Sequence, residues 1–135
     1  MDESLRQFVR ERAGQRCEYC HLPQHVGNSI RFHIEHIRPR QHGGNDEPDN
    51  LALACPNCNW TKGVNLTAID PETDAVVPLF NPRTDTWQEH FTPASLQIEG
   101  LTPAGRATVR LLRMNAPERM EVRQTLVRRG ELGAS

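Results

Sequence analysis

Residues 30–63 read IRFHIEHIRPRQHGGNDEPDNLALACPNCNWTKG, and the remainder of the chain is interpreted outward from them. The run SIRFHIEHI at 29–37 alternates in strand fashion, with Ile30, Phe32, Ile34 and His36 on one face and Arg31, His33, Glu35 and Ile37 on the other. Glu35 and His36, an acid beside a base, therefore face opposite ways unless the strand bulges or ends there; Pro39 is consistent with an ending. Residues 38–49 form a polar loop with Gly43-Gly44 at its tip, too long for a tight hairpin turn. Leu51 to Cys55 is the return strand, and Cys55-Pro56-Asn57-Cys58 turns into a short helix that stops at Gly63.

The second pair, Cys55-x-x-Cys58, has a partner upstream in Cys17-x-x-Cys20. Four cysteines make either two disulfides or one metal site, and the compartment decides between them. The N-terminal MDESLRQFVRERAG is charged and has no apolar signal core, and no apolar run approaches the ~18 residues of a membrane span. The expectation is a cytoplasmic protein with no membrane partner, in which reduced thiols favour zinc. Two knuckles complete a tetrahedral four-thiolate shell; being closed to water, that zinc is structural, not catalytic. Such a site contributes on the order of 10 kcal/mol to folding, comparable with the whole stability of a small domain. His21, His25 and His42 offer substitute ligands that four cysteines make unnecessary.

A chain of 135 residues fits one domain, or a small domain with an elaborated tail. With 36% hydrophobic residues and 5% aromatics its apolar supply is modest, so a metal staple would help. The net charge of -1 carries no global nucleic-acid signal, but the distribution is uneven. Residues 66–100 hold one Lys/Arg against six Asp/Glu and residues 101–135 seven against three, which makes the C-terminal segment the basic one. Capping-box spacing at Ser4 and a stop at Gly14 predict a helix over 4–13. Val76–Phe80 and Leu96–Leu101 are candidate strands. Trp87 and Phe91 are apolar anchors four apart on a short helix. Thr102-Pro103 and Ala116-Pro117 start helices over 103–114 and 117–129, the first with Arg106, Arg110 and Arg113 along one face.

With the knuckles in place, Glu35-His36-Ile37-x-Pro39, Gly43-Gly44, Asn50-Leu51 and Cys55-x-x-Cys58-Asn59-x-x-Lys62-Gly63 resemble the HNH endonuclease family, four-cysteine type. The likeness covers about residues 15–65; the tail after residue 75 is more loosely similar to tails of some bacterial HNH proteins. It implies an α+β fold: a ββα-metal (His-Me finger) hairpin braced by zinc, with an N-terminal helix and a C-terminal helical extension. The division expected is 1–65 as nuclease core and 66–135 as an extension packed on it.

The resemblance also implies a chemistry, hydrolysis of DNA phosphodiester bonds. That reaction needs a base for the attacking water and a cation on the scissile phosphate. His36 is the implied base, because an imidazole titrates near neutrality. Glu35 and Asn59, hard oxygen donors, would hold a catalytic Mg2+ or Mn2+. Asn59 stands where the name-giving histidine often does, and Glu35 is longer than the more usual Asp. Asn50 is expected to fix the loop that aims His36. One site per chain implies nicking, by a monomer or weak dimer.

Arg38, Arg40 and Lys62, with His33 and His42, surround this site in sequence. The three cations are candidate phosphate contacts or solvated charges, as are Arg6, Arg10 and Arg16. The arginine stripe after residue 103 reads equally as a DNA track or as the outer face of a helix pair. A different class of reading stays beside the enzyme: a zinc-stabilised, non-catalytic DNA-binding or interaction module.

Overall fold

Asp2, not Ser4, starts the first helix: its carboxylate accepts the Leu5 amide at 2.8 Å, and α1 runs Glu3–Arg12. The computed structural model describes residues 1–24, 31–94 and 96–132. His25 and Ile30 lie outside the described residues. The chain divides into two compact units, Met1–Leu66 with Asn81–Asp85, and Thr67–Phe80 with Thr86–Ser135. Among the described residues no helix is long and apolar enough to cross a membrane.

In the first unit β1 (His33–His36) pairs antiparallel with β2 (Leu51–Ala54), in the register His33 to Ala54 through His36 to Leu51. All four residues of β2 are buried, so the strand is covered on both faces. Cys55 then caps α2 (Pro56–Lys62), with Pro56 at its first position, where a missing N–H costs nothing. Val9 buries α1, and Arg12 at its end donates to the carbonyls of Pro48 (2.9 Å) and Leu51 (2.6 Å). That grip holds the turn feeding β2. Segment Asn81–Asp85 belongs to this unit, where Arg83 pairs with Glu18 and Glu18 accepts the Leu53 amide at 2.8 Å.

The observed strand is shorter than the alternation predicts, and its burial does not keep to one face. Glu35 and Ile37 are buried, His33 is exposed and Ile34 half-buried. Phe32 is buried just before the strand. A carboxylate can occupy an inward position when hydrogen bonds and an opposite charge compensate it, and Glu35 has both.

The second unit begins with the hairpin of β3 (Thr67–Ile69) and β4 (Val76–Pro78). Helix α3 (Trp87–His90) is a single turn, and Phe91 opens β5 (Phe91–Ala94) instead of continuing it. Pro93 explains this, since it breaks a helix and biases Thr92 to extended backbone. The rings of Trp87 and Phe91 still meet at 5.1 Å, and Phe80 meets Phe91 edge-on at 5.1 Å. β5 pairs with β6 (Gln97–Gly100), and Ile98 is its buried residue.

Thr102 caps α4 (Pro103–Leu111), its hydroxyl accepting the Gly105 amide at 3.0 Å. α4 ends earlier than its apolar pattern suggests, and α5 (Pro117–Arg128) supplies the reason. From α5, Arg119 donates to the Leu112 carbonyl and Arg123 to that of Met114, both at 2.7 Å, satisfying acceptors that a helix end leaves open. Asn115 brackets Ile98, donating to its carbonyl at 2.9 Å and accepting its amide at 2.8 Å. Arg106 leaves the expected arginine stripe: it makes two 2.9 Å bonds to Asp70 and also pairs with Glu72.

Asp70 is fully buried and accepts further hydrogen bonds from Thr73 (2.8 Å) and the Glu72 amide (3.1 Å). Arg106 foremost holds its carboxyl well below the ordinary range. A depressed folded-state pKa contributes stability that is present above the unfolded value, near 4, and is lost as pH falls towards the folded value. Thermal unfolding followed from pH 5 to pH 2 should therefore show a falling melting temperature whose slope is reduced in Asp70→Asn.

Candidate functional site

The first knuckle is closed by backbone bonds from Cys17 N–H to the Leu22 carbonyl and from His21 N–H to the Cys17 carbonyl, both 2.9 Å. The second is the N-terminus of α2, where Cys55 Sγ accepts the Cys58 amide at 3.4 Å. These pairs bring Cys17, Cys20, Cys55 and Cys58 together, buried, with all four sulfurs within 4.8 Å of one another. Cys20 and Cys55 sulfurs are 3.8 Å apart, which is the edge of a tetrahedron built on Zn–S bonds of about 2.3 Å. The four are not joined in disulfides. Burial pushes the Cys17 and Cys58 thiols well above their ordinary value, so four buried sulfurs without a cation are a costly core. The donor set fits a structural zinc ion.

Tyr19, inside the first knuckle, links the cysteine cluster to the hairpin. Its hydroxyl donates to Glu35 Oε1 at 2.8 Å and approaches Oε2 at 3.4 Å. On the opposite side Lys62 Nζ lies 3.4 Å from Glu35 Oε1 and donates to the Ile37 carbonyl at 3.0 Å. Glu35 is only 6% exposed and Lys62 2%. Burial raises the Glu35 pKa against the opposing pull of Lys62 and Tyr19. Lys62 thus does not stand at the surface as a phosphate contact: its ammonium ties α2 to β1 from inside. Asn59 lies one turn earlier on α2, half-buried; its backbone N–H donates to the Cys55 carbonyl at 2.9 Å, while its side-chain amide makes no hydrogen bond among the described residues.

His36 is on the other side of the strand from Glu35. The ladder is regular to His36 and continues one further bond, from the Ile37 amide to the Asn50 carbonyl at 2.9 Å, so no bulge turns the two residues together. The strand simply ends, with His36 at its last position, 22% exposed at its side chain. Its Nε2 is 2.7 Å from Asp46 Oδ1. Arg40 donates through one nitrogen to both oxygens of Asp46, at 2.9 and 3.0 Å, and Arg38 through Nε to the His42 carbonyl at 2.5 Å. Both arginines therefore have partners within the loop.

Asn50 clasps that loop. It accepts the Arg38 amide (2.9 Å) and donates to the carbonyls of Arg38 (3.0 Å) and Asn45 (2.8 Å). The two glycines are required for different reasons. Gly43 has φ +82°, a left-handed conformation, whereas a Cβ at Gly44 would overlap the Arg38 carbonyl oxygen. His42 Nε2 meets the Val64 carbonyl at 3.1 Å, and His33 is exposed. Arg6 and Arg10 face Glu3, and Arg16 donates to the His21 carbonyl. Asp46 is the residue that pattern reading missed; nothing in the sequence sets it apart from the two other acidic residues between Gly44 and Asn50, Glu47 and Asp49.

Two perturbations follow. Cys17→Ser should lower zinc content below one ion per chain and depress the melting temperature; an unchanged melting curve at full zinc content would contradict the structural site. Lys62→Met leaves Glu35 buried without its ion-pair partner and should destabilise the chain by about 3–5 kcal/mol in denaturant unfolding. Part of that loss should return in Glu35→Gln/Lys62→Met.

Comparison with known proteins yields one finding. Residues 17–65 match the family model described as HNH endonuclease. No curated protein and no solved structure matches the chain. The matched span begins at the first cysteine of the cluster, ends just after α2, and includes the β1–β2 hairpin with its clasped loop. Residues 17–65 are thus a domain of the HNH endonuclease family, with the four-cysteine cluster of its zinc-binding type.

Proposed function

We propose that the chain is a cytoplasmic, metal-dependent DNA endonuclease that nicks one strand per active site, leaving a 5' phosphate and a 3' hydroxyl. The observation that carries this reading is the presentation of His36: a partly exposed imidazole at the last position of β1, beside a loop clasped by Asn50, within the HNH domain. His36 takes the proton of the attacking water, and Asn50 keeps the adjoining loop in shape.

Glu35 and Asn59 would hold the catalytic Mg2+ or Mn2+. When bound, such an ion polarises the phosphate and stabilises the departing 3' oxygen. Their oxygens are of the right chemical kind, and the Asn59 side-chain amide is uncommitted among the described residues. Glu35 Oε2 receives only the longer Tyr19 contact, but the regular strand turns Glu35 inward, to the side opposite His36, so a site shared with His36 requires the end of β1 to rearrange when the cation binds. Arg38 lies exposed at the loop and supplies a phosphate contact; a monomer or weak dimer suffices, since the site needs no second chain.

A zinc-stabilised, non-catalytic DNA-binding module is the second reading. The burial of Glu35 against Lys62 favours it, because that ion pair has a purely structural use. A supercoiled-plasmid assay separates the two. The enzyme reading predicts nicked circles with Mg2+ or Mn2+, none with EDTA, and a loss of at least about 100-fold in His36→Ala with folding and DNA binding retained. DNA binding without cleavage in either ion supports the module. Wild-type rates from His36→Ala would overturn the assignment of the base, and linear product appearing without prior nicks would overturn nicking.

A further inference from the structure

His36 has a carboxylate partner across the loop. Asp46 Oδ1 sits 2.7 Å from His36 Nε2, and its carboxyl is held at about 2, first by the hydrogen bond with His36 and then by Arg40. An ionised carboxylate only accepts hydrogen bonds, so the close approach requires a proton on Nε2. In the neutral imidazole Nδ1 is then the lone-pair nitrogen. Among the described residues it has no hydrogen-bond partner.

The position of Asp46 is built, not incidental. On one side the Asn45 carbonyl accepts from Asn50 at 2.8 Å. On the other the Glu47 amide donates to Asn45 Oδ1 at 3.1 Å, a local turn that encloses Asp46. Arg40 clamps the carboxylate through both oxygens. Backbone, side chain and counter-charge all hold the same group against one imidazole nitrogen, although the Asp46 side chain is 44% exposed and otherwise free to rotate into water.

We propose that Asp46 is the positioning residue of His36: it accepts the Nε2 proton and aims Nδ1 at the reacting water, while Arg40 holds Asp46 in place. Arg40 is thereby a support of the imidazole and not in the first instance a phosphate ligand. The catalytic half of this statement rests on the hydrolytic reading above; the hold on the ring does not.

Nuclear magnetic resonance of the 15N-histidine-labelled full chain, combined with plasmid nicking kinetics, tests both halves. A His36 Nε2–H proton protected from rapid solvent exchange should be observable in the wild type, lost in Asp46→Ala and weakened in Arg40→Ala. In the same variants kcat should fall roughly 10- to 100-fold for Asp46→Ala with KM within about twofold, and Asp46→Glu should recover part of it. A ring proton that survives Asp46→Ala, or is absent from the wild type, overturns the proposal. So does wild-type kcat in Asp46→Ala when the proton has been lost. A wild-type chain that cuts no DNA but shows the proton and its loss sinks the hydrolytic reading while supporting the contact between Asp46 and His36.

Discussion

Four sulfurs drawn from two distant segments hold the first unit together. Cys17 and Cys20 come from a backbone-closed knuckle, Cys55 and Cys58 from the start of α2, and their convergence within 4.8 Å fixes where that helix begins relative to the knuckle. The hairpin of β1 and β2 is only four residues deep on each strand, too little for an isolated pair to persist in water. The binding free energy of a zinc ion at these sulfurs would be folding free energy, because no such site exists in an unfolded chain.

From that constraint the two sides of β1 acquire different work. The inner side carries Glu35 into a buried set with Tyr19, from the first knuckle, and Lys62, from the helix that the second knuckle caps. This chain of contacts couples the thiolate cluster to the hairpin through a charge pair that would be costly to break. The outer side carries His36 to the clasped loop, where Asn50, Gly43, Gly44 and Arg40 give it a shaped and partly open setting. A zinc ion held by the four cysteines would stand apart from the imidazole, so a closed metal shell and a solvent-reachable imidazole share fewer than fifty residues.

The hairpin, the knuckles and the helix after Cys55 were legible because each is spelled by local chemistry: paired cysteines at fixed spacing, a Gly-Gly tip, a proline at the start of a helix. The family span and the cluster of sulfurs follow from the same letters. Alternation divides β1 into two faces without saying which one is buried, and polarity alone does not foresee a buried Glu35, because the spacing cannot show Tyr19 and Lys62, which compensate its charge. The same blindness made Lys62 a surface cation. Asp46 escaped notice since its partner is ten residues away across a loop, a distance that has no periodic signature. In the second unit, Phe91 left its helix for a strand because Pro93 outweighs a four-residue apolar spacing, and Arg106 left its stripe because Asp70 is buried beneath it.

If the cysteine-bound ion shapes the hairpin and takes no part in hydrolysis, its own coordination must be closed and indifferent to substrate. X-ray absorption at the zinc edge, on the purified chain with and without bound DNA, tests this directly. The predicted result is a first shell of four sulfurs at about 2.3 Å that DNA does not alter. An oxygen or nitrogen ligand in that shell, or a change in it when DNA binds, would make zinc a reacting ion and contradict the account.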